Sequence, residues 1–327
     1  MRTPAELRRD LVLVGGGHAH ALVLRMLAMA PLAGLRITLV SPDSHTPYSG
    51  MLPGLVAGHY SYADTHIDLA RLCQWAGVRF IPAAVTALDV AARRLSLGDR
   101  PDLEYDLVSI DIGSQPELDS VPGARRFATP VKPVASLWQR WQALEARVGA
   151  DGPWRLAVVG GGAGSVELAR AMAHRLPAGA VQTTLYCGAP RILEGYNSRA
   201  RGAVEKALGR AGIELQLNAR VAQVQEGELL LEHGERAGFD ELVWCTAAAP
   251  ADWIADSGLA TDERGFLAVR DTLQSVDDER VVGAGDIATQ LSHPRPKAGV
   301  FAERQAPVLA HNLRAYFLGK PLREHRP

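Results

Sequence analysis

Two glycine-rich turns, 145 residues apart, constrain the fold of this chain more than any other feature. The first reads Leu11-Val-Leu-Val-Gly15-Gly16-Gly17-His18-Ala19-His20, and the second Leu156-Ala-Val-Val-Gly160-Gly161-Gly162-Ala163-Gly164-Ser165. Each follows an apolar run of strand length and opens an apolar, helix-compatible one. A turn of this kind lets backbone N–H groups approach a pyrophosphate, with the positive end of a helix behind it. One such turn is a weak signal, because glycine turns also serve plain packing. Two of them, each in strand–turn–helix context, predict two dinucleotide sites.

The chain has 327 residues, 47% of them hydrophobic and 22% charged, which is enough for two domains with large cores. A formal net charge of −1 excludes nucleic acid and anionic membrane surfaces as expected partners. No run of 18 apolar residues and no secretory leader is present, so the reading is a soluble, cytoplasmic protein without membrane contact. With 32 glycines and 6% aromatics, the expected class is α/β: two Rossmann-like, doubly wound, three-layer dinucleotide-binding domains. The second is inserted in the first, with residues 1–120 and 250–327 forming one domain and 121–249 the other.

Strands are expected at Leu11–Val14 and Leu35–Val40, with the helix after the first turn over Leu22–Ala28. Thr46 to Gly58 reads as an irregular Gly/Pro-rich connection of the kind that lines a cofactor, and Pro47 lies in it. A helix over Leu69–Ala76 precedes short strands at Val78–Ile81, Val85–Leu88 and Leu95–Leu97. Tyr105–Ile112 is a buried strand ending at Gly113, and Val134–Val148 is helical. The second glycine turn is followed by helix, a strand over Thr183–Cys187, a meander and a strand over Leu242–Thr246. Val281-Val-Gly-Ala-Gly285-Asp286 ends a further strand. From Arg304 an amphipathic helix is expected, with Pro307 tolerated in its first turn.

Cys73, Cys187 and Cys245 are scattered, with no C-x-x-C and no zinc spacing, and read as small buried hydrophobes. His18 and His20 point apart on alternate residues with no third ligand near, so no metal is expected. His20 stands where the fingerprint has its third glycine, which puts tight helix–strand packing there in question. Asp43, two residues beyond the second strand, suits either an adenosine ribose or an ordinary Pro-Asp turn.

Taken in order, Gly-x-Gly, Asp-Ile-Gly113-Ser, Gly160-x-Gly162-x-x-Ser165-Val-Glu167-Leu-Ala and Gly-Ala-Gly285-Asp286 resemble the pyridine nucleotide-disulfide oxidoreductase superfamily. The type II NADH:quinone and sulfide:quinone reductases are the most similar branch. Pro296-Lys297-Ala-Gly299-Val-Phe-Ala-Glu303 is similar to the flavin-facing segment of the latter. Gly15-Gly-Gly-His18-Ala-His20, with Ser41-Pro-Asp-Ser-His-Thr-Pro-Tyr-Ser-Gly-Met-Leu-Pro-Gly54, looks like the flavoprotein domain fused ahead of selenide, water dikinase. The resemblance spans residues 11 to about 320.

It implies FAD and NAD(P)H as cofactors. Gly15, Gly17 and the amides of His18 and Ala19 would meet the FAD pyrophosphate, the backbone of Val85 the adenine, and Asp286 the ribityl or pyrophosphate region. Gly113 would close the loop between domains, Gly285 would belong to the cofactor site, and Gly299 would allow close backbone approach. Lys297, one of four lysines, would place positive charge near flavin N1 and O2; a solvated surface lysine is the alternative. Gly160, Gly162 and Ser165 would hold NAD(P)H. Glu167 either lies beside nicotinamide and flavin or complements the helix dipole.

Several departures bear on activity. The cysteines supply no adjacent redox pair. Cys187 stands where an NAD-selecting acid is usual, with Arg191 four residues on, and Thr246-Ala247 replaces Thr-Gly. The amphipathic segments that dock membrane-bound relatives do not follow Pro327, which implies a shortened chain or a soluble acceptor. The resulting expectation is an FAD-dependent oxidoreductase passing hydride from NAD(P)H to a quinone or small chalcogen species. The rival is a flavin-bearing module serving a selenophosphate-synthesising partner of the selenide, water dikinase kind, with little turnover of its own.

Overall fold

The computed structural model describes residues 9–148 and 153–327; the charged leader Met1–Arg8 and residues 149–152 lie outside the described residues. The chain divides into two compact units. One comprises Met1–Tyr48, His66–Ser114 and Ala249–Pro327, the other Ser49–Thr65 and Gln115–Ala248.

In the first unit, strands β1 (Arg9–Val14), β2 (Leu35–Ser41), β3 (Arg79–Pro82), β4 (Leu107–Ile110) and β5 (Val281–Gly283) form one sheet in the order β5-β4-β1-β2-β3. Every neighbouring pair is parallel. Parallel strands covered on both faces read as continuous apolar runs, which is why Leu11 to Val14 show no alternation and are all buried. Helix α1 (His18–Ala28) and helix α2 (Gly299–Leu318) bury Ala19, Val23, Leu24 and Leu27 together with Ala302, Ala306, Leu309 and Leu313 in one core.

The second unit repeats the plan. Its parallel sheet runs Thr129–Pro130, Glu241–Trp244, Trp154–Val159, Val181–Tyr186, Glu214–Gln216. Helix Ala163–Arg175 follows the central strand, as α1 follows β1. Each unit also carries a three-stranded antiparallel piece, Ala87–Asp89, Arg94–Leu97 and Arg100–Glu104 in the first, Val221–Gln225, Glu228–Leu231 and Arg236–Gly238 in the second.

Five expectations are corrected. Helix α1 begins at His18 rather than Leu22, because the turn itself supplies its N-cap, Gly17. The segment Thr46–Gly58 is not irregular: strand His45–Pro47, a 3-10 turn at Ser49–Met51 and helix Leu52–Val56 occupy it. Leu52, Leu55 and Val56 bury with Val166, Ala169 and Met172, so residues 49–65 belong to the second unit rather than the first. Helix α2 starts at Gly299, which puts Pro307 in its interior, where no N–H is available for the preceding turn. Val85 lies in the loop before strand Ala87–Asp89 rather than in a strand.

Leu13, in the middle of β1, is fully buried. Leu13→Ala is expected to cost about 2–5 kcal/mol, read as a lowered denaturation midpoint, since the cavity cannot collapse between two covered faces.

Candidate functional site

Because the five strands of the first sheet are parallel, their C-terminal ends share one edge, the edge at which ligands bind in open α/β sheets. Gly15, Asp43, Val85, Gly113 and Gly285 each stand just past one of those ends. The structure brings part of the expected set into contact. Gly15 takes a left-handed φ of 89° and bonds its N–H to the Val40 carbonyl; Gly17 caps α1, whose first residues are His18 and Ala19. Asp43 is exposed and Val85 half-buried, on separate loops. The Pro47 carbonyl accepts the His18 Nε2–H at 3.0 Å, and the His18 ring packs at a tilt of 41° against Tyr48 with centroids 4.9 Å apart. Tyr48 in turn donates to Glu303 on α2 at 2.8 Å.

At the centre is Asp111, which sequence reasoning quoted only as part of a motif. It is 2% exposed. Its N–H bonds the Val14 carbonyl at 2.8 Å and its carbonyl accepts the Gly17 N–H at 3.1 Å. Its carboxylate accepts the His20 N–H at 2.9 Å in the first turn of α1. A β-carbon at Gly17 or Gly285 would run into that carboxylate, so both positions need glycine. The signal was an acid at the end of the buried strand Leu107–Ile110, a residue type that is almost never fully buried without a partner.

His20 answers the question left by the missing third glycine. Its fully buried imidazole donates from Nδ1 to the Gly15 carbonyl at 2.7 Å and accepts the Ser109 hydroxyl on Nε2 at 2.8 Å. One donor and one acceptor describe a neutral ring. Burial lowers its pKa to about 4, against the pull of the Gly15 carbonyl. Burial pushes Asp111 up to about 7; the His20 N–H and His18 oppose the rise, and Asp286 adds to it.

Asp286 follows Gly285 in a 3-10 turn, and its Oδ2 accepts the Ser114 hydroxyl at 3.0 Å. The Gly285 N–H is held by Gln305 Oε1 at 2.8 Å. Gly113, in the loop between β4 and Ser114, has a left-handed φ of 70°. Gly299 opens α2 after its N-cap Ala298. Lys297 is no solvated lysine: its Nζ donates to the Ala288 carbonyl and to Thr289 Oγ1, both at 2.8 Å, and lies 4.0 Å from the centre of the Phe266 ring. Burial lowers its pKa to about 8, against Asp262 and Asp286. Gly285, Asp286, Lys297, Phe301 and Gln305 line one cleft.

In the second unit, Gly160 and Gly162 form the turn before helix Ala163–Arg175, with Gly162 as N-cap. Ser165 is buried and its hydroxyl donates back to the Gly162 carbonyl at 2.8 Å, so it closes the turn. Glu167 is exposed on the same helix. Cys245 occupies the place that Asp111 holds in the first unit: its N–H bonds the Val159 carbonyl at 2.8 Å, and its Sγ lies against Gly164. Cys187 Sγ lies against Gly161. Among the described residues no group of three or more His, Cys, Asp or Glu is placed to hold a metal.

Residues 9–308 match the family model for pyridine nucleotide-disulphide oxidoreductases. The chain belongs to this family. Its members are NAD(P)H-dependent oxidoreductases of Rossmann fold that bind FAD and NAD(P)H. The chain is 25% identical over 324 residues to the NADH dehydrogenase-like protein YutJ of Bacillus subtilis, covering 98% of this chain and 87% of that protein. It is 25% identical over 334 residues to the demethylphylloquinone reductase NdbB of Synechocystis, covering 97% and 82%. Among solved structures, the sulfide:quinone oxidoreductase of Aquifex aeolicus superposes with a TM-score of 0.76 at 18% identity, covering 96% of this chain and 78% of that one. Reduced CoADR-RHD of Bacillus anthracis gives 0.82 at 18% identity, covering 97% of this chain and 58% of that one. At these identities the structures establish the shared fold.

The two buried titrating groups pull stability in opposite directions. Between pH 4 and 6.5 His20 is neutral when folded and protonated when unfolded, so its contribution grows as pH rises. Between pH 3.8 and 7 Asp111 is protonated when folded and ionised when unfolded, so its contribution shrinks as pH rises. Calorimetric unfolding over this window should show His20→Asn losing stability with rising pH and Asp111→Asn gaining it, each by roughly 3 kcal/mol.

Proposed function

We propose that this chain is an FAD-dependent oxidoreductase that takes hydride from NAD(P)H and reduces a quinone, with no redox-active disulfide. The observation that carries the reading is the repeated strand–glycine turn–helix unit at the C-terminal edge of two parallel sheets. The relatives named as NADH dehydrogenase-like and demethylphylloquinone reductase support the donor and acceptor classes. When bound, FAD supplies a ring that accepts hydride and passes electrons on, and NAD(P)H supplies the hydride.

The chain's own residues then have assignable tasks. The first turn of α1 and Gly17 would hold the FAD pyrophosphate, since backbone N–H groups and the helix dipole both favour an anion there. Asp286, already accepting one hydroxyl from Ser114, has the chemistry to accept a second from the ribityl chain. Lys297 would hold positive charge beside the flavin pyrimidine, steadied by Ala288 and Thr289. Gly160–Gly162 and the helix behind them would take the nicotinamide nucleotide, with Glu167 exposed on the first turns of that helix.

The thiols support a route without a disulfide. Burial pushes Cys73 and Cys245 up to about 11 and raises Cys187 as well, and it is the thiolate that reacts. Cys187 also favours the second reading, a flavin module serving a selenophosphate-synthesising partner. It stands directly after strand Val181–Tyr186, where an acid would select the nucleotide ribose.

An anaerobic visible spectrum, followed while NADH and then NADPH are added, tests the proposal. The expected result is flavin absorption at about 375 and 450 nm that bleaches with one nucleotide and returns with a soluble quinone analogue. A bound flavin that neither nucleotide reduces decides for the partner module, and a colourless chain that cannot be reconstituted with FAD overturns both readings. Gly160→Ala, whose β-carbon would meet the Cys245 carbonyl, should slow reduction by NAD(P)H at least about tenfold while leaving flavin content unchanged.

A further inference from the structure

The buried carboxylate of Asp111 and an FAD pyrophosphate compete for the same end of α1. We propose that Asp111 is the positioning residue of the pyrophosphate turn, and that FAD binding is coupled to uptake of one proton by its side chain. This rests on the flavoprotein reading above.

The argument is geometric first. Asp111 is stitched to the turn through its backbone at Val14 and Gly17, and its buried carboxylate is held there by the His20 N–H. It sits against Gly17 and Gly285 and accepts the His20 N–H, one of the first-turn amides that make a helix end an anion site. Without ligand, that carboxylate is the anion at the helix end. A pyrophosphate on the neighbouring amides brings a second, doubly charged anion close to it, in a region with little water to screen the repulsion.

The side chains that face Asp111 leave little else to compensate. Helix α1 presents His18 and His20; the latter is neutral and already engaged with Gly15 and Ser109. The turn after β5 presents Asp286, a further negative charge. Helix α2 places Ala302 and Gln305, both uncharged, beside Gly285, the glycine against which the carboxylate sits. A proton on Asp111 removes the repulsion, and the carboxyl group keeps an oxygen free to accept from His20 while gaining a donor. Its position near neutrality before any ligand binds, at about 7, makes that proton available in the physiological range.

The sign follows from linkage. Below about pH 7 Asp111 is already protonated and FAD affinity is independent of pH. Above it, each pH unit weakens binding about tenfold until the pKa of the bound state is reached.

The test uses the whole 327-residue chain. Flavin fluorescence gives the FAD dissociation constant from pH 5.5 to 9. Calorimetry of FAD addition at pH 8, in two buffers of different ionisation enthalpy, gives the protons taken up. The expected wild-type result is about one proton per FAD and an affinity falling about tenfold per unit above neutrality. Asp111→Asn, which keeps an oxygen for His20 but cannot ionise, should show neither. His18→Gln should keep both, which separates Asp111 from the neighbouring imidazole. FAD binding without proton uptake in the wild type overturns the inference alone, and that measurement needs no variant to fold. Uptake that survives in Asp111→Asn overturns it as well. FAD binding at no pH overturns the flavoprotein reading and this inference together.

Discussion

The first unit is organised around one buried carboxylate. Burying an ionised acid is costly unless its lone pairs are satisfied, and Asp111 meets that demand with the His20 N–H and the positive end of α1. The arrangement dictates its surroundings. Glycine is required at 17 and 285 because nothing larger fits against the carboxylate. The backbone of Asp111 also joins β1 to the turn, so segments from the start, middle and end of the chain converge on one residue. A discontinuous unit built from distant pieces needs such a meeting point, and here it coincides with the proposed pyrophosphate turn.

Comparison of the two turns shows what the carboxylate adds. In both units the residue after the strand beside the central one bonds its N–H to the last carbonyl of the central strand, at 2.8 Å. In both, a β-carbon on the first glycine would strike that residue's own carbonyl. The backbone solution is therefore the same, and the side chain differs: a carboxylate at 111, a thiol at 245. Burial keeps the Cys245 thiol neutral. The second turn thus ends in a helix with no acid in its first turn, whereas in the first unit a carboxylate already lies against the turn glycine.

Lys297 carries the same logic in the opposite sense. Its ammonium is partly desolvated, yet it is held by a carbonyl, a hydroxyl and an aromatic face within a few ångströms, with two carboxylates nearby. Such a cation is fixed in place before any ligand arrives, which is what electrostatic stabilisation of developing charge requires.

The sequence by itself determined the parts that depend on local chemistry. The glycine turns, the continuous apolar strands before them, the helix at Leu69–Ala76 and the parallel α/β class were legible, because each follows from residue type at fixed spacing. So was the placement of Gly285 and Asp286 at a strand end. Tertiary structure alone decided the rest. Residues 46–58 looked like an irregular connection because glycine and proline punctuate them, but Leu52, Leu55 and Val56 found a core to bury in and made helix. Pro307 was tolerated inside α2 because packing on both sides holds the helix through the break. His20 and Asp111 are 91 residues apart, and their hydrogen bond exists only once β4 lies beside β1. A charge's cost and its compensation depend on what surrounds it in space, and no periodicity along the chain encodes that.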